Sequence, residues 1–137
     1  MFFLGANLVS WQWQKQKVVA LSSCEAEYIA AATAACQGIW LARRLGDLRN
    51  VPPEAADLKV DNQSALALIK NPVFHDRSKH IQTRFHFIRE AAENGDVKPD
   101  YIGTEGQLAD ILTKALPQEK FQELRGKIGV VSVGAQA

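Results

Sequence analysis

Three carboxylates in this sequence stand at positions where an acid could do more than solvate a surface. The first lies in "ALSSCEAEYIAAATAAC" (residues 20–36), which sets Glu25 and Glu27 two positions apart at the mouth of a helical stretch. Ser22-x-x-Glu25 has the spacing of a capping box, in which the serine bonds a free backbone N–H and the glutamate reaches back to the cap. Glu27 lies past the cap, and its plainest role is favourable interaction with the helix dipole. The second acid, Asp61, ends the predicted buried strand "DLKVD" just before "NQSALALIK" turns helical. Ligand-handling groups of open α/β sheets collect at such strand ends, although Asp61 could equally be a helix N-cap. The third, Asp110 in "QLADILTK", follows a possible Thr104-x-x-Gln107 cap and could pair with Lys114 at i+4. Taken together, three carboxylates from two helix starts and one strand end suit a hard divalent cation, which takes oxygen ligands from scattered segments.

The elements that would carry these acids follow from periodicity and punctuation. "MFFL" and "NLVSWQWQKQKVVAL" are rich in β-branched and aromatic residues on either side of a Gly-Ala-Asn turn, which predicts a hairpin. From residue 23 to about 48, an alanine-rich segment with three-to-four spacing predicts a long amphipathic helix. "NVPPEAA" stops it, "DLKVD" predicts a buried strand, and "NQSALALIK" a helix, giving a strand–helix–strand pattern. "NPVFHDRSK" is expected as a loop, "HIQTRFHFIREAAENG" as a helix with a glycine stop, and "DVKPDYIGT" as a strand. "EGQLADILTKAL" is expected as a helix that "PQEKFQELRGKIG" could extend, and the tail has no clear partner.

Size and composition bound the rest. A chain of 137 residues suits one domain with a real core, and 47% hydrophobic with 23% charged residues exclude a disordered chain. No apolar run approaches the roughly 20 residues of a membrane span, and the start lacks a signal peptide's basic and apolar regions, so an intracellular protein without membrane association is expected. Cys24 and Cys36 fall in one helical segment without a CxxC pattern and read as free thiols. A net charge of +1 leaves nucleic-acid binding to local clusters. One such cluster spans residues 70–90, where Lys70, Arg77, Lys79, Arg84 and Arg89 outnumber Asp76 and Glu90 and could track a phosphate backbone. His75, His80 and His86 lack cysteine or acid partners at ligand spacing, which favours packing or hydrogen bonding over metal binding.

"ALSSCEAEYIA", "KVDNQSALALIKNPVFHDRSKHI", "RFHFIRE" and "TEGQLADILTKAL", in that order over about residues 4–116, resemble the ribonuclease H domain of copia-type LTR retrotransposon Pol polyproteins. The resemblance implies an α/β, RNase H-like fold, a mixed β-sheet flanked by helices. In that fold four acids bind two magnesium ions, with manganese a possible substitute. By motif, Glu27 is the acid of the family's first helix, Asp61 the acid ending its fourth strand, and Asp110 the acid of its last helix; Glu25 keeps its capping role. The implied substrate is the RNA strand of an RNA–DNA hybrid, cleaved by two-metal chemistry in a domain fused to a reverse transcriptase polymerase domain. RNA is told from DNA by its 2′-hydroxyls, and Ser23, Cys24, Asn62 and Gln63 match the polar readers beside the acids. Arg77 and Lys79 are the candidate phosphate contacts, and the implied setting is the cytoplasm, as a virus-like particle, or the nucleus.

The departures from the family pattern are specific. The family's first, central strand, which bears its first metal-binding aspartate, has no counterpart, and the sequence opens at the family's second strand. An incomplete RNase H-like domain over residues 1–116 and a helical extension with a tail over 117–137 are therefore expected. Gly103 and Gly106 replace a usual proline and a usual acidic or polar residue, Cys24 replaces a more usual threonine, and the loop before Asp110 has no histidine. The alternative to an active nuclease is an inactive RNase H-like remnant that binds nucleic acid or has no activity, because one metal ligand is missing.

Overall fold

A computed structural model of the chain describes residues 1–71 and 85–131. Over these residues the protein is mixed α/β, with small sheets and five α-helices. The chain divides into two compact units, Gln16–Thr104 and the pair of segments Met1–Lys15 with Glu105–Ala137.

The unit Gln16–Thr104 is built on a parallel strand pair and a long helix. Helix α1 spans Ser23–Arg49. Its run of alanines carries high helix propensity, and Ala31, Ala32 and Ala35 are buried, small enough to let the helix approach its neighbours closely. Asn50 ends it in the left-handed region at φ 53°, with Asn50 N–H donating to Asp47 O and Val51 N–H to Gly46 O. Those paired bonds are a Schellman end, and the prolines that follow prevent continuation. Strand β3 (Ala56–Val60) pairs in parallel with β4 (Val97–Tyr101), Val60 opposite Tyr101. Leu58 and Val60 are buried while Asp57 and Lys59 are exposed, so the strand expected to be buried is covered on one face only. On the open side Lys59 Nζ donates to Asp100 Oδ2 at 2.8 Å across the register pair. Helices α2 (Gln63–Lys70) and α3 (Phe87–Glu93) complete one core with α1, in which Tyr28, Leu58, Val60, Ala65, Ile69, Ile88 and Val97 are all buried.

The second unit opens with an antiparallel hairpin, β1 (Phe2–Leu4) with β2 (Asn7–Ser10). Gly5, at φ 60°, takes the first position of the two-residue turn between Leu4 and Asn7. Phe3 faces Leu8 while Phe2 faces Ser10, so Val9 bulges. The strand expected to run on through "WQWQKQKVVAL" ends at Ser10, because Phe2, the first residue of β1, is already its partner. Among the described residues the strands thus form two pairs, β1 with β2 and β3 with β4, where the resemblance implies a single mixed sheet. The expected continuous C-terminal helix is likewise broken: a 3-10 turn covers Thr104–Gly106, α4 spans only Asp110–Thr113, and Pro117 separates it from α5 (Gln118–Lys127). Proline lacks the N–H to continue α4 but sits readily at a helix start. Leu124 and Ile128 are the buried apolar residues of this C-terminal segment.

Candidate functional site

The start of α1 separates its two glutamates. Ser22 is the N-cap, its Oγ accepting from Glu25 N at 3.1 Å, and Glu25 Oε2 accepts from Leu21 N at 2.7 Å. The capping box therefore forms, with the glutamate reaching one residue further back than the cap itself. Glu25 is buried by this role, 5% exposed, whereas Glu27 is half-buried further along the helix.

At the carboxyl end of β3 the competing explanation for Asp61 falls away. Asn62 caps α2, its Oδ1 accepting from Ala65 N at 3.0 Å. Asp61, half-buried, occupies the residue between strand and cap. The backbone beyond the strands is tied here as well, since Ile102 N–H donates to Val60 O at 3.0 Å.

Asp110 is carried by the other unit. The Thr104-x-x-Gln107 cap does not form, because α4 begins at Asp110 itself with Ala109 in the cap position and no side-chain cap bond. Lys114 Nζ donates to Asp110 Oδ2 at 2.9 Å, as the i+4 spacing predicts, but the pair is only partly at the surface: the lysine side chain is 46% exposed and the Asp110 side chain 9%. Lys120, whose Nζ donates to Glu105 O at 3.1 Å and Glu123 Oε2 at 3.0 Å, pins α5 to the loop before Asp110.

Of the expected readers, Ser23 and Gln63 are exposed. Asn62 is half-buried and spends its carbonyl oxygen on the α2 cap. Cys24 packs against the core, and burial, then the neighbouring Glu25 charge, push its thiol pKa up. It is thus a packing thiol more than a groove-lining one, and both cysteines are free. Arg77, Lys79, Arg84, His75 and His80 lie outside the described residues.

Arg89 departs from its expected place in a phosphate-tracking face. It is buried, its Nε donates to Leu68 O at 2.8 Å, and its guanidinium lies 5.7 Å from the centre of the Tyr28 ring. The Tyr28 hydroxyl and His86 Nδ1 share a hydrogen bond at 3.0 Å. His86 thus has the hydrogen-bonding role that its sequence context favoured. The interior polar set of Tyr28, His86 and Arg89 was not foreseen as a set; its signal was the His86-x-x-Arg89 spacing on one helix and a tyrosine among alanines.

Glu27, Asp61 and Asp110 are oxygen donors of the kind magnesium takes, and the caps of α1 and α2 are supplied by Ser22 and Asn62. Among the described residues, no group of three or more His, Cys, Asp or Glu side chains is gathered to hold a metal ion. An open cleft of about 450 Å³, lined in part by Cys36, Arg43, Phe87 and Glu90, includes none of the candidate site residues. No helix among the described residues is long and apolar enough to cross a membrane.

The chain is 41% identical over 132 residues, 96% of its length, to the retrovirus-related Pol polyprotein from transposon TNT 1-94 of Nicotiana tabacum. It is 40% identical over 131 residues to the corresponding Pol polyproteins from transposons RE2 and RE1 of Arabidopsis thaliana. No protein-family profile matches it. No solved structure matches it. The chain spans about a tenth of the length of these curated relatives, and over nearly all of its own length it is similar to a segment of plant transposon Pol polyproteins.

Proposed function

We propose that the chain is an RNase H-type endonuclease module of a retrotransposon reverse transcriptase, with an RNase H-like fold and the RNA strand of RNA–DNA hybrids as substrate. The observation that carries this reading is Asp61: it stands at the carboxyl end of β3, where the next residue, Asn62, takes over the cap of α2. The similarity to Pol polyproteins supports fusion to further domains; a polymerase domain as the fused neighbour, and a setting in the cytoplasm, as a virus-like particle, or in the nucleus, are part of the proposal. Glu27, Asp61 and Asp110 would hold magnesium, or manganese in its place. The bound metal would activate a water and stabilise the leaving oxygen of an in-line displacement at the scissile phosphate.

The chain's own groups have separate tasks. Glu25 and Ser22 fix the helix start that presents Glu27. Asn62 fixes the backbone that follows Asp61. Ser23 and Gln63, exposed beside these acids, would contact the 2′-hydroxyls of the RNA strand, with Asn62 and Cys24 behind them. Arg77 and Lys79 would bind phosphates, so that alanine at both lowers hybrid affinity and flattens its salt dependence whatever the base sequence.

The test is a labelled hybrid titrated with the 137-residue chain at rising magnesium. Magnesium-dependent binding with at most very slow cleavage of the RNA strand, both lost in E27Q, D61N and D110N, is expected of the chain alone. Cleavage that needs no metal, or that survives D61N, overturns the assignment. A second reading, a hybrid-binding module without cleavage, is favoured by one observation: Asp110 is already neutralised by Lys114 at 2.9 Å. Its signature is magnesium-dependent hybrid affinity with an intact RNA strand.

A further inference from the structure

The stretch "WQWQKQK" that follows β2 has no part in the reading above. Residues 11–17 are all exposed, Trp11 at 62% and Trp13 at 69%, an unusual outlay of the most costly side chain to leave in water. Gln12 Nε2 donates to Gln14 Oε1 at 2.7 Å, which puts these two side chains on one side of the segment. Where side chains alternate along an extended chain, Trp11, Trp13 and Lys15 share the other side. Gln16, next in the glutamine series, donates from Nε2 to Ala26 O at 2.7 Å and anchors the end of the segment.

Spacing and charge say what such a side would receive. Residues i and i+2 of an extended chain are separated by about 6.6 Å, close to twice the roughly 3.4 Å spacing of nucleotides along a stacked strand. Two indoles at that separation admit one base between them, and Lys15 reaches the phosphate beyond. The first acid of the sequence is Glu25, so Lys15 and Lys17 act in a stretch with no carboxylate to cancel them. Neither lysine has a salt-bridge partner among the described residues. An apolar protein partner would be served by the tryptophans alone; an acid-free aromatic and basic alternation favours a polyanion with accessible ring faces.

We infer that Trp11, Trp13 and Lys15 form a stacking platform for single-stranded nucleic acid, built of none of the acids that would cut a hybrid. Base stacking on aromatic side chains tolerates any sequence, and lysines along the backbone make binding salt-dependent. The platform would take a strand lacking its complement, as RNA removal from a hybrid leaves.

The test titrates the 137-residue W40F chain, which leaves Trp11 and Trp13 as its only tryptophans, with (dT)12, (rU)12 and a hybrid duplex of the same length. Tryptophan fluorescence and the anisotropy of a labelled oligomer are followed together. Quenching with anisotropy gain on the single strands is expected. W11A with W13A should weaken (dT)12 binding at least about fivefold, and W11F with W13F should recover most of it. K15Q should lower the log–log salt slope by about 0.7. A preference for (rU)12 over (dT)12 would assign the platform to RNA, the reverse to DNA. D61N should bind (dT)12 like the parent, which separates this inference from the nuclease reading. Single-strand affinity unchanged by W11A/W13A in a protein of unchanged circular dichroism overturns it. So does loss of self-association in that variant without loss of oligomer binding, which would make the face a protein contact.

Discussion

The Tyr28 hydroxyl and His86 Nδ1 stand 3.0 Å apart, their rings inclined at 56°, and tie α1 to the residue at which α3 begins. Tyr28 is wholly buried, and Arg89 lies over its ring, within the roughly 6 Å at which a cation is drawn to a π face. Burial pushes the Tyr28 hydroxyl pKa up, only partly opposed by the Arg89 charge and hydrogen bond. Above the ordinary tyrosine value of about 10, the folded chain therefore holds a proton that the unfolded chain has released, and stability falls as pH rises. Y28F should cost about 1 kcal/mol in urea unfolding at pH 7, the usual worth of one hydrogen bond. It should also soften the loss of stability above pH 10. Equal pH dependence in the two proteins would place the alkaline transition elsewhere.

Gly46 sets two effects against each other. Alanine in a helix interior is favoured over glycine by about 1 kcal/mol. Here a Cβ would stand 2.8 Å from Val51 O and 3.2 Å from Pro53 N, both backbone atoms of the turn that closes α1. Backbone cannot swing aside as a side chain can, so crowding of about 1–3 kcal/mol should win. G46A should lower the urea midpoint; a rise would mean that the turn after Asn50 yields.

The sequence made the local elements legible where one chemical signal dominated. The alanine run and Ser22-x-x-Glu25 gave α1 to within a residue at its far end, and the Gly5 turn gave the hairpin. It overreached where pairing partners decide: "WQWQKQKVVAL" has strand propensity, but the ladder stops where β1 runs out. Pro117 and the absence of a cap before Asp110 cut one expected helix into two, a contest between periodicity and a missing N–H. In the candidate site, the separation of Glu25 from Glu27 was readable because capping is local. Which of Asp61 and Asn62 would cap α2 was not, since both types serve. Nor was the burial of Arg89, whose charge reads as surface until Tyr28 and the Leu68 carbonyl are beside it.

Lys114 bears on the proposed metal site, because its ammonium pairs with the Asp110 oxygen that the proposal assigns to magnesium. K114M keeps the aliphatic stem and removes the charge. Without magnesium the variant should melt lower than the parent, since a nearly buried carboxylate loses its partner. With magnesium it should gain more than the parent, because a ligand stabilises the folded state according to its affinity. Identical magnesium-induced shifts in the two proteins would remove Asp110 from the metal-binding set.

The two glutamates at the head of α1 should separate cleanly by experiment. S22A removes the oxygen that accepts from Glu25 N and should cost about 1 kcal/mol, with E25Q costing somewhat less because an amide oxygen still accepts from Leu21 N. Neither change touches a proposed metal ligand, so the magnesium-induced rise in melting temperature should survive in both. E27Q should behave in the opposite way: a stability change within about 1 kcal/mol, as for most substitutions away from a cap or core, and loss of most of the magnesium effect. Calorimetric melts of the three variants with and without excess magnesium would supply both quantities at once. If E25Q abolishes the magnesium shift while E27Q keeps it, the roles are reversed, and the capping bonds to Leu21 and Ser22 would belong to a residue that also binds metal.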